Sequence, residues 1–149
     1  MLNIEEDTFF YNTQIPEKPM TRRGILSMAS TIFDPLGFLS PVILQPKLLL
    51  QRLTREKLDW DDRIDDDAQH LWKKWYSTLE SLNKVTIPRC MTLGLKDEST
   101  REVHVFCDAS QYAYAAVAYI KITDQLGSFK TSIVMGEISS CPTGYNPTT

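Results

Sequence analysis

The sequence has few cysteines and no long apolar run, and each absence excludes a class of protein. The three cysteines lie far apart and form no CxxC pair, which argues against a disulfide framework or a zinc site. No apolar stretch approaches the roughly 20 residues of a transmembrane helix. The acidic first residues do not resemble a signal peptide. We therefore expect an intracellular protein, cytoplasmic or nuclear, that is not secreted and contacts no membrane.

The charge lies in blocks, although the net charge is only −3. Residues 18–58 carry seven basic and two acidic side chains, whereas residues 59–67 carry six aspartates and one arginine. The basic block could bind phosphate groups. Its side chains could equally lie on solvated helix faces, and charge alone favours this second interpretation.

The first half of the chain has the signals of three helices. Residues 21–31 begin with a threonine at the capping position and end before a type I turn signal, Asp-Pro-Leu-Gly, at 34–37. Ser40 as cap and Pro41 at the first helical position predict a second helix that runs to about residue 58. Apolar residues at steps of three and four predict a third helix over 68–82, with Asp66 as its cap.

The pattern changes from helical to extended near residue 101. Three runs of alternating or β-branched residues are separated by turn residues. They predict an antiparallel meander with strands at 101–108, 113–122 and 129–135. Such a sheet needs a layer that covers its apolar face. Either the helices supply this layer, or the chain is a piece of something longer.

The sequence thus predicts an α+β protein in five segments. The last segment has no periodicity of either kind, so we expect it to be unstructured. The segments are a connector with a short strand (1–20, strand at 8–14), a helical segment (21–83), a linker (84–100), the meander (101–136) and an aberrant tail (137–149).

Asp108 is the residue with the clearest chemical potential. It ends the first strand of the meander, and a carboxylate held by a sheet suits Mg²⁺. Metal-dependent phosphoryl transfer, however, needs several converging carboxylates. The alternative role is to cap the turn that follows. A third possibility is an aspartic peptidase, since Asp108-Ala109-Ser110 faintly resembles Asp-Ser/Thr-Gly, but those enzymes need two aspartates that share a proton.

Two blocks of the sequence resemble a known family. They are TRRGILSMASTIFDPLGFLSPV at 21–42, and FCDAS at 106–110 followed by AYAAVAY at 113–119. Over residues 5–136 the chain resembles the region after the reverse-transcriptase palm in polyproteins of Bel/Pao-type LTR retrotransposons, a region known as the Pao retrotransposon peptidase. The resemblance implies a helical thumb or connection, followed by the start of a ribonuclease H-like domain.

The resemblance also implies roles for particular residues. Asp108 corresponds to the first metal-binding aspartate of ribonuclease H folds, which act with Mg²⁺, and the neighbouring strand packs against it through small residues such as Ala115. The basic side chains of the helical segment would contact the template–primer or an RNA–DNA hybrid. These side chains are Arg22, Arg23, Lys47, Arg52 and Arg55.

The implied ancestral activities are RNA-templated DNA synthesis and metal-dependent cleavage of RNA in hybrids, within a virus-like particle. Nothing in 137–149 matches the family's helix with the next carboxylate, and Glu137 does not occupy that position. The tail resembles the product of a frameshift or a misplaced splice junction. We therefore expect a polyprotein fragment that is inactive alone and binds no metal stably. The alternative is a non-enzymatic nucleic-acid-binding module.

Overall fold

The computed structural model describes residues 2–11, 13–89 and 99–141. It has an α+β architecture with two separate antiparallel sheets of three strands each, which confirms the predicted fold class and the meander. The elements in chain order are β1 (Leu2–Asn3), β2 (Thr8–Phe10), α1 (Arg22–Ala29), α2 (Ser40–Arg55), α3 (Asp66–Leu82), β3 (Thr86–Pro88), β4 (Thr100–Ala109), β5 (Ala113–Thr123) and β6 (Phe129–Ser140).

The hydrophobic core lies among the three helices. Apolar residues at helical spacing place one face of each helix inward. Trp72 and Trp75 sit at its centre with ring centroids 4.6 Å apart, and Trp75 Nε1 donates to the Val42 carbonyl at 2.8 Å. No described helix is long and apolar enough to cross a membrane. The most deeply buried members of this core are Ile25, Met28, Leu53, Ile64, Ala68, Trp72, Trp75 and Leu79.

The capping signals are confirmed for α1 and wrong for α2 and α3. Ser40 is the first residue of α2 and not its cap, because Leu39 takes the capping position without a side-chain hydrogen bond. Thr21 caps α1 by accepting from the Gly24 amide at 3.1 Å, as predicted. The cap of α3 is Asp65, whose carboxylate accepts from the Ala68 amide at 2.6 Å, so the prediction of Asp66 was wrong. Three consecutive aspartates offered equivalent candidates, and backbone geometry selected the first of them.

The small sheet corrects the predicted linker at 84–100. Strand β3 lies inside this segment and pairs with β2, which places Ile87 opposite Phe9. Arg89 Nε donates to Asp7 Oδ1 at 2.6 Å and fixes the end of this pairing. Strand β2 is also shorter than the predicted run at 8–14. A three-residue strand is too short to produce a periodic signal in the sequence.

The meander corrects the predicted tail at 137–149. Strand β6 continues to Ser140, so residues 137–140 belong to the sheet. They pair with the start of β5, with Ile138 opposite Ala115. Backbone pairing sustains this end of β6, although its side chains alternate poorly. Residues 142–149 of the predicted tail lie outside the described residues.

A glycine contact joins the helices to the meander. The predicted turn at 34–37 forms, with the Gly37 amide donating to the Asp34 carbonyl at 3.2 Å. The Gly136 amide of β6 donates to the Leu36 carbonyl at 2.8 Å. Gly37 has φ +70°, and a β-carbon there would overlap the Gly136 carbonyl. This close approach therefore requires glycine at position 37.

The Asp34 carboxylate organises the same turn. It accepts from the Phe38 amide at 3.0 Å and from the Leu39 amide at 2.7 Å, where α2 begins. The Tyr11 hydroxyl lies 3.5 Å from it. Burial raises the pKa of Tyr11, and the negative charge of Asp34 and the hydrogen bond to it raise it further. Asp34 therefore acts as an acceptor that fixes the start of α2.

Candidate functional site

Asp108 lies near the end of β4, as the sequence predicts, with an exposed side chain. Its Oδ1 accepts from the Ala109 amide at 2.8 Å. Ala115 of β5 is directly opposite in the sheet, and no larger side chain faces the carboxylate at that position. The carboxylate therefore faces an open region that a cation could approach.

The described residues do not complete a metal site around Asp108. Glu137 is the other carboxylate that borders the same two cavities, of about 420 and 340 Å³. It is opposite Ala116, whereas Asp108 is opposite Ala115, so the two side chains project from opposite faces of the sheet. Within residues 2–11, 13–89 and 99–141, no three His, Cys, Asp or Glu side chains are grouped to hold a metal ion. One carboxylate does not fit Mg²⁺ catalysis.

The cavity of about 340 Å³ lies between the sheet and the segment that joins the turn at 34–37 to the start of α2. Its walls are the segment from Gly37 to Pro41 on one side and the Asp108 face of the meander on the other. Phe106 and Tyr119 meet edge to face across β4 and β5, with centroids 6.0 Å apart. The helical layer therefore covers only part of this sheet face, and Asp108 lies at the border of the gap.

Arg22 and Arg23, which were predicted to contact nucleic acid, instead connect α1 to the end of α2 and to the acidic loop, residues 59–67. Arg22 donates to the Leu58 carbonyl and to Thr54 Oγ1 (3.0 Å), and its guanidinium lies 4.3 Å from the Trp60 ring centroid. Arg23 pairs with Asp61 at 2.7 Å, although both side chains are exposed. This hydrogen bond raises the pKa of Arg23 and lowers that of Asp61. Both arginines thus have partners within the chain.

Lys47 extends from α2 to the meander. Its Nζ donates to the Ile138 carbonyl of β6 at 3.2 Å. One turn later, Gln51 Nε2 donates to the Cys141 carbonyl. Lys47 therefore connects the helical layer to the sheet and lies away from Arg22 and Arg23, which contact the acidic loop.

Arg52 and Arg55 border a groove of about 450 Å³ between α2 and α3. Arg52 pairs with Glu56 at 2.8 Å and Asp65 at 2.9 Å, and the hydrogen bond to Glu56 raises its pKa. Arg55 is exposed and forms no ion pair with the residues that the structure describes. Lys74 of α3 borders the same groove, and the sequence reasoning missed it. Only the packing of α3 against α2 brings this lysine to the groove of Arg55.

The five predicted basic residues therefore do not form one surface. Two fasten the acidic loop, one contacts β6, and two border the groove. Arg55 and Lys47 are both exposed without an ion pair among the described residues, but Lys47 already donates to the Ile138 carbonyl, so the groove is the better place for a free cation. Any binding of an anion by the basic block would centre there.

Comparison with known proteins places this arrangement in a family. A family model described as Pao retrotransposon-like RNaseH-like domain matches residues 21–143, which include the three helices and the whole meander. No curated protein and no solved structure matches the chain significantly. The match spans both layers and the Gly37–Gly136 contact that joins them. The chain belongs to the Pao retrotransposon-like RNaseH-like domain family.

Proposed function

We propose that this chain supplies Asp108 as one metal-binding carboxylate of a ribonuclease H-type site in the pol region of a Bel/Pao retrotransposon. The observation that carries the proposal is the position of Asp108 near the end of a rigid strand, exposed and opposite a small residue, Ala115. A sheet holds a carboxylate rigidly enough for metal chemistry. In the parent protein the substrate would be the RNA strand of an RNA–DNA hybrid.

The described residues alone do not support catalysis, and we propose that the chain is inactive by itself. Hydrolysis of a phosphodiester with two metal ions needs several carboxylates that converge on the scissile phosphate. Glu102 shares the sheet face of Asp108, but it lies six residues along the strand, about 20 Å away, and is too distant to share a metal ion with it. Further ligands would have to come from elsewhere in the parent polyprotein.

A cleavage assay tests this proposal. The purified chain is incubated with a labelled RNA–DNA hybrid and Mg²⁺ or Mn²⁺, and we expect no cleavage above the buffer control. Line broadening by Mn²⁺ of the Ala109 and Ala115 amides measures weak binding, which Asp108→Asn should abolish. Glu137→Gln, on the other face of the sheet, is the matched control and should leave the broadening unchanged. Cleavage that disappears in Asp108→Asn would contradict inactivity, and broadening that persists in that variant would contradict the role of Asp108.

The peptidase alternative has little support in the geometry. An aspartic peptidase needs two aspartates that share a proton. The cavities beside Asp108 contain Glu137 as their other acid, and it projects from the opposite sheet face. Self-processing that is abolished by Asp108→Asn but unaffected by a chelator would favour a peptidase over a metal nuclease.

A second candidate function is nucleic-acid binding at the groove between α2 and α3. It is favoured by the three cations, Arg52, Arg55 and Lys74, that border this groove. Each phosphate contact lowers the logarithm of affinity by about 0.7–0.9 per tenfold increase in salt, so the salt slope counts contacts. We expect Arg55→Ala and Lys74→Ala each to reduce that slope for a labelled hybrid in an anisotropy titration.

The matched control for this second candidate is Arg23→Ala. It removes the same kind of side chain from a different surface, where Asp61 already pairs with it. Binding through the groove predicts a wild-type salt slope for this control. An equal reduction of the salt slope in all three variants would instead indicate nonspecific attraction to positively charged side chains.

A further inference from the structure

A small cavity with aromatic walls lies beside the turn at 34–37, and neither proposal above uses it. Its volume is about 150 Å³. Sites for drug-sized ligands have about 300–1,000 Å³, so this cavity suits one small chemical group. Four aromatic rings border it, those of Phe9, Tyr11, Phe33 and Phe38.

The four rings come from two segments of the chain. Phe9 lies in β2 and Tyr11 directly follows that strand, and side chains two residues apart in an extended chain project to the same side. Phe33 and Phe38 flank the turn at 34–37 on either side, so the turn brings their rings to one place. The cavity therefore has aromatic walls from both segments.

The faces of these rings are free of partners from the chain itself. Within the part of the chain that the structure describes, none of the four stacks on another ring, and none lies under an arginine or lysine. The face of an aromatic ring attracts a cation that lies within about 6 Å of the ring centroid. Several free ring faces around one small cavity therefore select for an organic cation.

Asp34 decides which kind of cation the cavity suits. It is the only charged side chain among the described residues that border the cavity. Its carboxylate already accepts from the Phe38 and Leu39 amides and lies within reach of the Tyr11 hydroxyl. These donors use most of the roughly four lone-pair positions of a carboxylate. A buried primary ammonium needs acceptors for all of its N–H donors, whereas a quaternary ammonium needs none.

We propose that this cavity binds a quaternary ammonium group, which the ring faces surround and the Asp34 carboxylate balances in charge. Phe33 is 75% exposed and Tyr11 only 7%, so the cavity opens to solvent at Phe33 and ends at Tyr11. The same trimethylammonium head group occurs on a trimethylated lysine side chain and on choline compounds. The shared head group is the ligand chemistry of this site.

An NMR titration with tetramethylammonium chloride tests the site. We expect saturable shifts of the Leu36 and Phe38 amides, with a dissociation constant in the millimolar range because the ligand is so small. Neopentyl alcohol has the same shape without the charge, and methylammonium has the charge without the full set of methyl groups. Each should bind at least about fivefold more weakly. The absence of saturable shifts, or equally tight binding of either comparison compound, would overturn the proposal.

Two variants separate the contribution of the ring from that of the charge. Phe33→Leu keeps an apolar side chain but removes a ring face, and Asp34→Asn keeps an acceptor but removes the charge. Each should weaken tetramethylammonium binding about fivefold or more. Phe129→Leu is the matched control, because that ring is similarly exposed (63%) and lies outside the cavity. Circular dichroism confirms that each variant is folded. Wild-type affinity in Phe33→Leu, or an equal loss in Phe129→Leu, would contradict the site.

Competition experiments distinguish the two sources of the head group. A short peptide with trimethyllysine, the same peptide with unmodified lysine, and free choline are each tested for displacement of tetramethylammonium. Stronger displacement by the trimethyllysine peptide would assign the site to a modified protein, and equal or stronger displacement by choline would assign it to the head group alone. The unmodified peptide should be the weakest competitor in both cases. If neither quaternary compound displaces tetramethylammonium, the proposal is wrong.

Discussion

The helical layer and the meander solve the problem of burial in different ways. The helices surround a shared core in which Trp72, Trp75 and Leu79 are each 2% exposed. The meander has ladders of ten and eleven paired positions, yet Val103, Phe106 and Phe129 each remain more than half exposed. The helical layer therefore gains its stability from apolar burial, and the meander gains most of its order from backbone pairing.

Extensive strand pairing by itself does not bury the apolar side chains of a sheet. Backbone hydrogen bonds replace bonds to water and contribute little net free energy, whereas apolar side chains contribute only when a second layer covers them. In this chain the turn at 34–37 and the start of α2 cover one part of one face. The open remainder is where a partner strand or another part of a polyprotein would gain most.

The sharpest test of this difference compares two aromatic truncations. Trp72→Ala should lower the free energy of unfolding by about 3–5 kcal/mol, because it leaves a cavity in the helical core. Phe106→Ala should cost about 1 kcal/mol or less, since most of that ring is in solvent and it loses chiefly an edge contact with Tyr119. Urea denaturation followed by circular dichroism measures both. Equal decreases in the free energy of unfolding would mean that the meander buries its aromatic side chains as well as the helical layer does.

The junction between the two regions is tested by a pair of glycines. Gly37 and Gly127 both have positive φ, but a β-carbon at 37 would overlap the Gly136 carbonyl, whereas the space at 127 is open. Gly127→Ala should cost about 1 kcal/mol from backbone strain alone. Gly37→Ala should cost about 2 kcal/mol more, because the turn must move away from β6. Similar unfolding free energies for the two variants would exclude a stabilising junction.

Asp34→Asn tests the electrostatics of the same turn. The raised pKa of Tyr11 means that the folded state keeps its proton at a pH where the unfolded chain loses it. The stabilisation of the folded state by protonated Tyr11 is therefore complete below about pH 10, and it is lost as the pH rises above that value. Asp34→Asn removes the negative charge, so it should lower the Tyr11 pKa and make this alkaline loss shallower.

The variant should also cost about 1 kcal/mol at neutral pH through the weakened acceptor at the start of α2. Urea denaturation of the wild type and Asp34→Asn, repeated from neutral to alkaline pH, measures both effects. Tyr11→Phe removes the titrating group and is the control. An unchanged alkaline slope in Asp34→Asn would mean that Asp34 has no influence on Tyr11.

The smallest expected effect distinguishes two neighbouring aspartates. Asp65→Ala removes the α3 cap and should cost about 1 kcal/mol. Asp66→Ala removes only a favourable charge from the first helical turn and should cost about 0.5 kcal/mol or less. Thermal unfolding of the two variants, compared at low and high salt, measures the difference, since salt screens the charge effect and spares the cap. A larger loss for Asp66→Ala would restore the original capping prediction.

Sequence patterns identified individual functional residues, but they did not predict which residues lie together. A carboxylate at the end of an alternating run is recognisable as Asp108 in the sequence, because strand periodicity locates it. The partners of Arg22 and Arg23 were not predictable, since Trp60 and Asp61 lie almost forty positions away and no periodicity links them. The same holds for Lys74, which reaches the groove of Arg55 only through helix packing.

The sequence by itself determined the local order of this protein. Helical spacing, a threonine cap, a Pro-Gly turn and alternating strands all act over a few residues, so these elements were predictable within a few positions. Only the tertiary structure decided the short strand β3, the extension of β6 to Ser140 and the separation of Asp108 from Glu137 on opposite sheet faces. These features depend on pairing between distant segments, whose free energy no local pattern records.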